Sequence, residues 1–362
     1  MRPLILLGSF ERGGAETVAC ELVRRWAAGG ASCVVAAMRA GGPMKGLFEA
    51  AGARVYEGLA PRRVSAGMLR VARLARRHGV DVLIVVDPLR NGLFHGLLGA
   101  LLAGGVATVC WCHSSPSGQG GNFVPRLRTY RGLGWLDLVV CVSRYQRGEL
   151  ARAGLRRRGL AVVANGLDLE AWGRAAAAAD LPRGGKVILS IANAMPDKDF
   201  QTLAQAMRLL AARRGDVRLV LAGRGTDQPA VRSLFAGLEG RVTALGECAD
   251  VPALLAGADV VVLSSRSETF GLAALEAMAA GTPVVAGDLG ALRELCGADA
   301  ALLVRPGDAA AMAGALERVL DDNGLARRLA LAGRERAGAY GSSRIASRMA
   351  RLIEAAIKRR GR

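Results

Sequence analysis

The stretch Ser-Ser-Arg-Ser-Glu-Thr-Phe-Gly-Leu-Ala-Ala-Leu-Glu-Ala-Met, residues 264–278, carries two glutamates with seven residues between them, Glu268 and Glu276. The apolar segment 259–263 before it has a buried strand's composition. Residues 266–271 read as loop, and Leu272–Ala280 has helical spacing up to the turn Gly281-Thr-Pro283. Glu268 then lies in the loop. Glu276 falls four residues after Leu272, on the same helix face, between the apolar Leu275 and Met278. An ionised carboxylate there costs several kcal/mol unless it is paired, with an arginine for instance, or serves a ligand. The loop favours a ligand. The N–H groups of Phe270, Gly271 and Leu272 would point out of a helix N-terminus, a site suited to a diphosphate, and Gly271 lets the backbone come close to it. A carboxylate can also accept from both hydroxyls of a vicinal diol.

These residues, followed by Glu-Ala-Met-Ala-Ala-Gly-Thr-Pro-Val-Val at 276–285, resemble the Glu-x7-Glu signature of retaining glycosyltransferases of the glycosyl transferases group 1 class, family 4 in the sequence classification. The resemblance implies a GT-B fold, an α/β architecture of two Rossmann-like domains with parallel sheets facing across a cleft. It implies that Glu268 and the backbone of Thr269, Phe270, Gly271 and Leu272 hold the donor sugar and diphosphate, while Glu276 takes the ribose hydroxyls. The family also shows an Arg and a Lys reaching the donor diphosphate from one loop. Lys198 matches the Lys, but Asn193 occupies the Arg position. Losing one charge-assisted contact would remove roughly 1.5–3 kcal/mol if nothing replaced it. Arg224, in Leu-Ala-Gly-Arg-Gly, is the candidate replacement; an arginine on a solvated loop is the alternative.

Further positions match in the N-terminal half. The loop Gly13-Gly14-Ala-Glu16 corresponds to the family's "GGAE", which implies proximity to the donor phosphates and acceptor, whereas a tight turn would account for one glycine. Asn165-Gly-Leu-Asp168 resembles the "NGVD" at the hand-over between domains, so Glu16 and Asn165 are acceptor-side candidates. His113 ends an apolar run and, at the C-terminal edge of a parallel strand, would stand where such folds bind ligands. The family often has His there, near the donor sugar. The glycine-rich loop after it, with Arg126, Arg128 and Arg131, is a candidate acceptor-binding segment, and ordinary disorder explains the glycines equally well.

The elements that must position these groups alternate. Strand-like runs at 4–7, 32–37, 82–86, 106–112 and 138–142, with helical stretches between them, argue a parallel sheet with helices on both faces. The first strand leads into a Gly-rich loop that does not match Gly-x-Gly-x-x-Gly, so dinucleotide binding is not indicated. A second series follows at 187–192, 219–222, 242–245, 259–263 and 283–286. The expected organisation is an N-terminal acceptor-side domain 1–168, a linker 169–185, a nucleotide-sugar domain 186–338, and a last helix 339–362 packing back on the first domain. The helix expected over 62–78 puts Val64, Met68, Val71 and Ala75 on one face and much of its arginine elsewhere. It reads either as lying on an anionic membrane or as an ordinary surface helix. Residues 92–112 are nearly all apolar, but Gly104-Gly105 and His95 favour helix, turn and strand over a membrane span. The basic tail 358–362 is a membrane contact or a solvated end.

Composition bounds the rest. A chain of 362 residues exceeds one ordinary core and suggests two domains. The formal charge of +18 lies mostly in the N-terminal half, which has roughly twice as many basic as acidic residues. Such a chain seeks polyanions. With four Tyr, seven Phe and no nucleic-acid motif, nucleic acid is not expected; a diphosphate donor and an anionic membrane surface are. Seven scattered cysteines without Cys-x-x-Cys read as reduced, buried thiols of a cytoplasmic protein, peripheral on the membrane's inner face.

The combined expectation is a metal-independent retaining glycosyltransferase. Lys198 and the amides would neutralise charge on the leaving diphosphate, Glu268 would orient the sugar, and the acceptor would attack from the front face. No cofactor is expected beyond the nucleotide-diphosphate sugar, UDP- or GDP-linked, and the acceptor would be a saccharide or a lipid-linked saccharide. The alternatives are a sugar-nucleotide epimerase or hydrolase of the same fold, and a non-catalytic basic protein binding membranes or nucleic acid, which Asn193 favours and Glu268, Glu276, Lys198 and His113 together oppose.

Overall fold

A computed structural model of the protein describes residues 1–60, 64–88, 90–116, 123–173, 181, 182 and 184–361. The chain divides into two compact units, Met1–Leu167 with Tyr340–Arg362, and Asp168–Ala339. In the first, the elements run β1 (Pro3–Leu7), α1 (Gly14–Ala28), β2 (Val34–Ala37), α2 (Met44–Ala50), β3 (Arg54–Tyr56), α3 (Val64–Arg77), β4 (Val82–Val86) and α4 (Arg90–Ala103). They continue with β5 (Ala107–Cys112), α5 (Val124–Gly132), β6 (Leu138–Cys141), α6 (Arg144–Arg152) and β7 (Leu160–Val162). The strands form one sheet, parallel throughout, in the order β3-β2-β1-β4-β5-β6-β7. Strands β1, β4, β5 and β6 are buried along their whole length, as continuous runs of Leu, Ile and Val require when helices cover both faces.

The second unit holds α7 (Leu169–Gly173), β8 (Lys186–Ile191), a 3-10 turn (Pro196–Lys198), α8 (Phe200–Ala211), β9 (Val217–Ala222), α9 (Pro229–Arg232), β10 (Val242–Gly246) and α10 (Val251–Ala256). Then come β11 (Val260–Leu263), α11 (Leu272–Ala280), β12 (Val284–Gly287), α12 (Gly290–Cys296), β13 (Leu302–Val304), α13 (Ala309–Asp321) and α14 (Asn323–Ala337). Its sheet is likewise parallel, in the order β10-β9-β8-β11-β12-β13. Asp199, Asp250, Asp308 and Asp322 each accept an amide N–H of the helix that follows, which fixes where α8, α10, α13 and α14 begin.

In each sheet the chain reverses its direction of winding once, between β1 and β4 in the first and between β8 and β11 in the second. Loops leaving the C-terminal ends of such neighbours splay apart and leave a crevice there. Sequence patterning missed β3, β7 and β13. All three are three-residue edge strands, and each contains exposed or half-exposed positions.

Several expectations are corrected. Helix α3 turns Val71, Leu74 and Ala75 into the first unit's core and packs on α4, so that apolar face is not free to lie on a bilayer. The packing is close: a Cβ on Gly99 of α4 would come within 2.6 Å of Val71. Val64, assigned to the same face, lies outside the residues whose side chains are described, as does the glycine-rich loop 117–122. Residues 92–112, by contrast, form the helix, turn and strand expected of them, α4 and β5, and among the described residues no helix is long and apolar enough to cross a membrane. Residues 169–173, placed in the linker, form α7, which packs against α11 in the second unit; 174–180 are outside the described residues.

The last helix, α15 (Ser342–Arg360), belongs to the first unit, where it lies against α1 and β5. The buried Trp26 indole N–H donates to the Ala346 carbonyl at 3.1 Å. Arg360, read as a membrane contact or a solvated end, instead donates to the Gly134 carbonyl at 2.6 Å and pairs with Asp137 at 3.2 Å. Asp137 in turn accepts from the Thr108 amide and hydroxyl, tying the tail to β5. Six of the seven cysteines are buried and all seven are free thiols.

Candidate active site

Strands β8 and β11 are neighbours, so the loops after them meet although they are 70 residues apart in sequence. Lys198, in the 3-10 turn after β8, donates from Nζ to Glu268 Oε1 at 2.6 Å, and Ser265 Oγ donates to the same oxygen at 3.0 Å. Ser264 Oγ donates to the Lys198 carbonyl at 2.7 Å, and the Arg266 amide to the Asp197 carbonyl at 2.8 Å. Both partners of the ion pair are largely shielded, Lys198 with 22% and Glu268 with 14% of the side chain exposed. Burial alone would lower the Lys198 pKa, but the Glu268 carboxylate, helped by Asp197, outweighs it and holds the ammonium above its ordinary value. Lys198 is therefore a cation at every physiological pH.

Helix α11 starts three residues after Thr269. Gly271 is its N-cap at φ +93°, a left-handed conformation that favours glycine, and a Cβ there would also press on the end of the Leu292 side chain at 2.4 Å. Glu276 is 9% exposed on this nearly buried helix, and among the described residues it makes no hydrogen bond or ion pair. Burial pushes its carboxyl up to about 8. The arginine pairing considered from sequence is not found.

Asn193 and Arg224 meet as well. Asn193 Oδ1 accepts the Arg224 amide at 3.0 Å and the Ala194 amide donates to the Arg224 carbonyl at 2.8 Å, so the loops after β8 and β9 run side by side with Arg224 exposed.

In the first unit, Gly13 caps α1 in an extended conformation, and neither Gly13 nor Gly14 has a positive φ, so a tight turn needing glycine accounts for neither. A Cβ on Gly13 would meet the Glu16 carboxylate at 2.5 Å, which puts Glu16 directly over this loop. His113 follows β5, two strands across from β1. Its amide and that of Ser114 donate to Asp87 Oδ1 at 2.7 and 2.8 Å, and its ring lies 4.7 Å from that of Trp111. Burial lowers the His113 pKa against the opposing pull of Asp87, leaving a neutral imidazole at pH 7. Asn165 is buried with its Oδ1 unpartnered, beside the bridge of Leu167 with Gly341.

Sequence reasoning missed Asp87, Asp199 and Arg266. Among the described residues, Asp87 and Asp199 are the non-glycine residues with positive φ, at +61° and +47°, each in a loop at its sheet's point of reversal. Strain of this kind persists where surrounding structure over-determines it. The available signal was an aspartate directly after a strand or turn, in Asp87-Pro and Lys198-Asp199.

Two parallel sheets, each reversing once and covered by helices, define a doubly wound α/β protein, with a lysine, a carboxylate and a helix N-terminus beyond the second sheet's point of reversal. Residues 185–322 match the family model described as Glycosyl transferases group 1, and residues 12–171 that of Glycosyltransferase Family 4. Lipopolysaccharide core biosynthesis glycosyltransferase LpsE of Rhizobium meliloti is 30% identical over 277 residues, 74% of this chain and 73% of that protein. Phosphatidyl-myo-inositol mannosyltransferase of Mycobacterium leprae is 36% identical over 197 residues, 53% of this chain and 52% of that protein. The match thus spans about half the length of the mannosyltransferases. Among solved structures, Anabaena HepE in complex with UDP-glucose superposes with a TM-score of 0.85 at 22% identity, covering 98% of this chain and 100% of that one. The chain belongs to the glycosyl transferases group 1, family 4 glycosyltransferases, and its two Rossmann-like units are those of the GT-B fold.

Proposed function

We propose that the protein is a retaining glycosyltransferase that moves a hexose-type sugar from a UDP- or GDP-linked donor to a saccharide or lipid-linked acceptor. The observation that carries this reading is the Lys198–Glu268 pair, held beside the N-terminus of α11 at the second sheet's point of reversal. The donor diphosphate would lie against the Lys198 ammonium and the amides of Phe270, Gly271 and Leu272. These groups are fixed before the reaction and would stabilise charge as it grows on the leaving group. Glu268, relieved of part of its pairing as Lys198 turns to phosphate, would accept hydroxyls of the sugar. Glu276 would accept the ribose diol. Asn193 brings no charge, and Arg224, whose backbone it holds, would supply the second cation.

On the first unit, neutral His113 would serve as a hydrogen-bonding group near the sugar, with Gly13, Gly14, Glu16 and Asn165 toward donor phosphates and acceptor. Attack from the face the leaving group departs, assisted by the leaving phosphate, needs neither a metal nor a cofactor. The printed activities of LpsE and the mannosyltransferases support a saccharide or lipid-linked acceptor, and HepE's complex with UDP-glucose supports a nucleotide-sugar donor. The charge of +18 supports work on the inner face of an anionic membrane.

Thermal-shift measurements with UDP, GDP, ADP and their sugar conjugates test the proposal. A ligand at 100 times its dissociation constant adds about 2.7 kcal/mol of stability. One nucleotide series should shift the wild type and not Glu276→Gln. Absence of any nucleotide shift, with tight binding to anionic lipid or nucleic acid, would sink the reading in favour of a non-catalytic protein.

A further inference from the structure

The loop that carries Lys198 ends in a residue placed against its conformational preference. Asp199 follows Lys198 directly, has φ +47° and ψ +54°, and caps α8. Its side chain is 6% exposed, yet it holds a carboxylate that accepts the Thr202 amide at 3.2 Å, the Thr202 hydroxyl at 2.6 Å and Arg266 Nε at 2.6 Å. Arg266 belongs to the other loop, two residues before Glu268, and its side chain is 61% exposed. A surface guanidinium therefore reaches inward to neutralise a shielded carboxylate, while its own amide binds the Asp197 carbonyl at 2.8 Å. Residues 197, 198 and 199 are each tied to the 264–268 loop by a different bond: Arg266 to Asp197, Ser264 and Glu268 to Lys198, and Arg266 to Asp199.

We propose that Asp199 and Arg266 form a positioning clamp that sets the Lys198 ammonium and the Glu268 carboxylate for the donor diphosphate without touching it themselves. The inference rests on the reading of Lys198 as the diphosphate ligand. The clamp has two tasks. The left-handed turn at Asp199 swings the chain from the 3-10 turn into α8, aiming Lys198 toward β11. Arg266 cancels the Asp199 charge, which would otherwise stand beside the phosphate site, repel the donor and compete for Lys198. The guanidinium is thus needed as long as the carboxylate is there: the carboxylate without its guanidinium is worse than neither.

This non-additivity is the test. Titration calorimetry with UDP and GDP is run on wild type, Arg266→Ala, Arg266→Lys, Asp199→Asn and the double variant Asp199→Asn with Arg266→Ala, each checked for folding by its thermal midpoint. Asparagine keeps the cap acceptor and tolerates the left-handed conformation. Arg266→Ala should weaken the nucleotide that binds wild type on the order of tenfold, an interaction of ordinary size for coupled neighbours. Arg266→Lys should recover part of the loss. Asp199→Asn should stay within about threefold of wild type, and adding Arg266→Ala to it should change little further. Equal affinity in wild type and Arg266→Ala, or losses that simply add in the double variant, would overturn the clamp, since a merely structural role lowers the thermal midpoint and leaves the affinity of folded protein unchanged. Wild type that binds neither nucleotide would overturn the donor-site reading itself, and the clamp with it.

Discussion

Glu276 combines burial, a missing partner and a raised pKa, and the combination has a measurable signature. Its carboxyl titrates at about 8 in the folded chain and near the ordinary 4.5 when unfolded. Between those values the folded state holds the extra proton. The resulting stabilisation is fully present below about 4.5 and is lost as pH rises through about 8, by up to about 1.4 kcal/mol per pH unit. Glu276→Gln removes that titration. Urea unfolding of the variant at a series of pH values should show a flatter profile and a chain more stable than wild type at about pH 8, even though it no longer binds nucleotide. A profile parallel to wild type would mean the carboxyl does not titrate in this range. Lys198→Ala acts in the opposite sense, removing a cation and leaving the largely shielded Glu268 with the Ser265 hydroxyl but no counter-charge. Loss of one charge-assisted contact to phosphate should weaken nucleotide-diphosphate binding by roughly 10- to 100-fold, read by calorimetry, while nucleoside binding should change little.

At this scale the sequence was informative about type and silent about pairing. A glutamate between Leu275 and Met278 is legible as an anomaly because helical spacing fixes its face. That Lys198 pairs with Glu268 depends on which strands adjoin, a property of topology that no local pattern encodes. Asp199 was illegible for a related reason: its left-handed conformation is imposed by the bonds it receives from Thr202 and Arg266 rather than by its own preference.

Among the elements, long central strands were legible because two covered faces leave continuous apolar runs, whereas β3, β7 and β13 carry too few buried positions to register. Helix α3 shows the limit of amphipathicity as a guide. An apolar stripe beside arginines fits a bilayer and a neighbouring helix equally, and α4 with its Gly99 decides the matter. Helix α15 is held by side-chain bonds at both ends, Trp26 to Ala346 and Arg360 to Gly134 and Asp137. Trp26→Phe keeps most of the ring's volume and removes the donor, and should cost about 1–2 kcal/mol in urea unfolding. A neutral result would mean that α15 is held by apolar packing alone.

For the whole molecule, the charge of +18 sets the expected company. Protein should cosediment with vesicles rich in phosphatidylglycerol at about 20 mM salt and be released near 500 mM, where the screening length falls to a few ångströms. Retention at high salt would point to apolar insertion, for which the buried face of α3 offers no means.

The unit that begins the chain also ends it. Met1–Leu167 is completed by Tyr340–Arg362, while Asp168–Ala339 is continuous. During synthesis the usual order, with the N-terminal domain finished first, is therefore reversed. All of the second unit leaves the ribosome before the first receives α15, so α1 must wait without the Trp26–Ala346 bond until that helix emerges. The first unit can mature only once residues 340–361 have been made, and translation that stops before them leaves a molecule whose nucleotide-side half can be whole while its partner half lacks a wall.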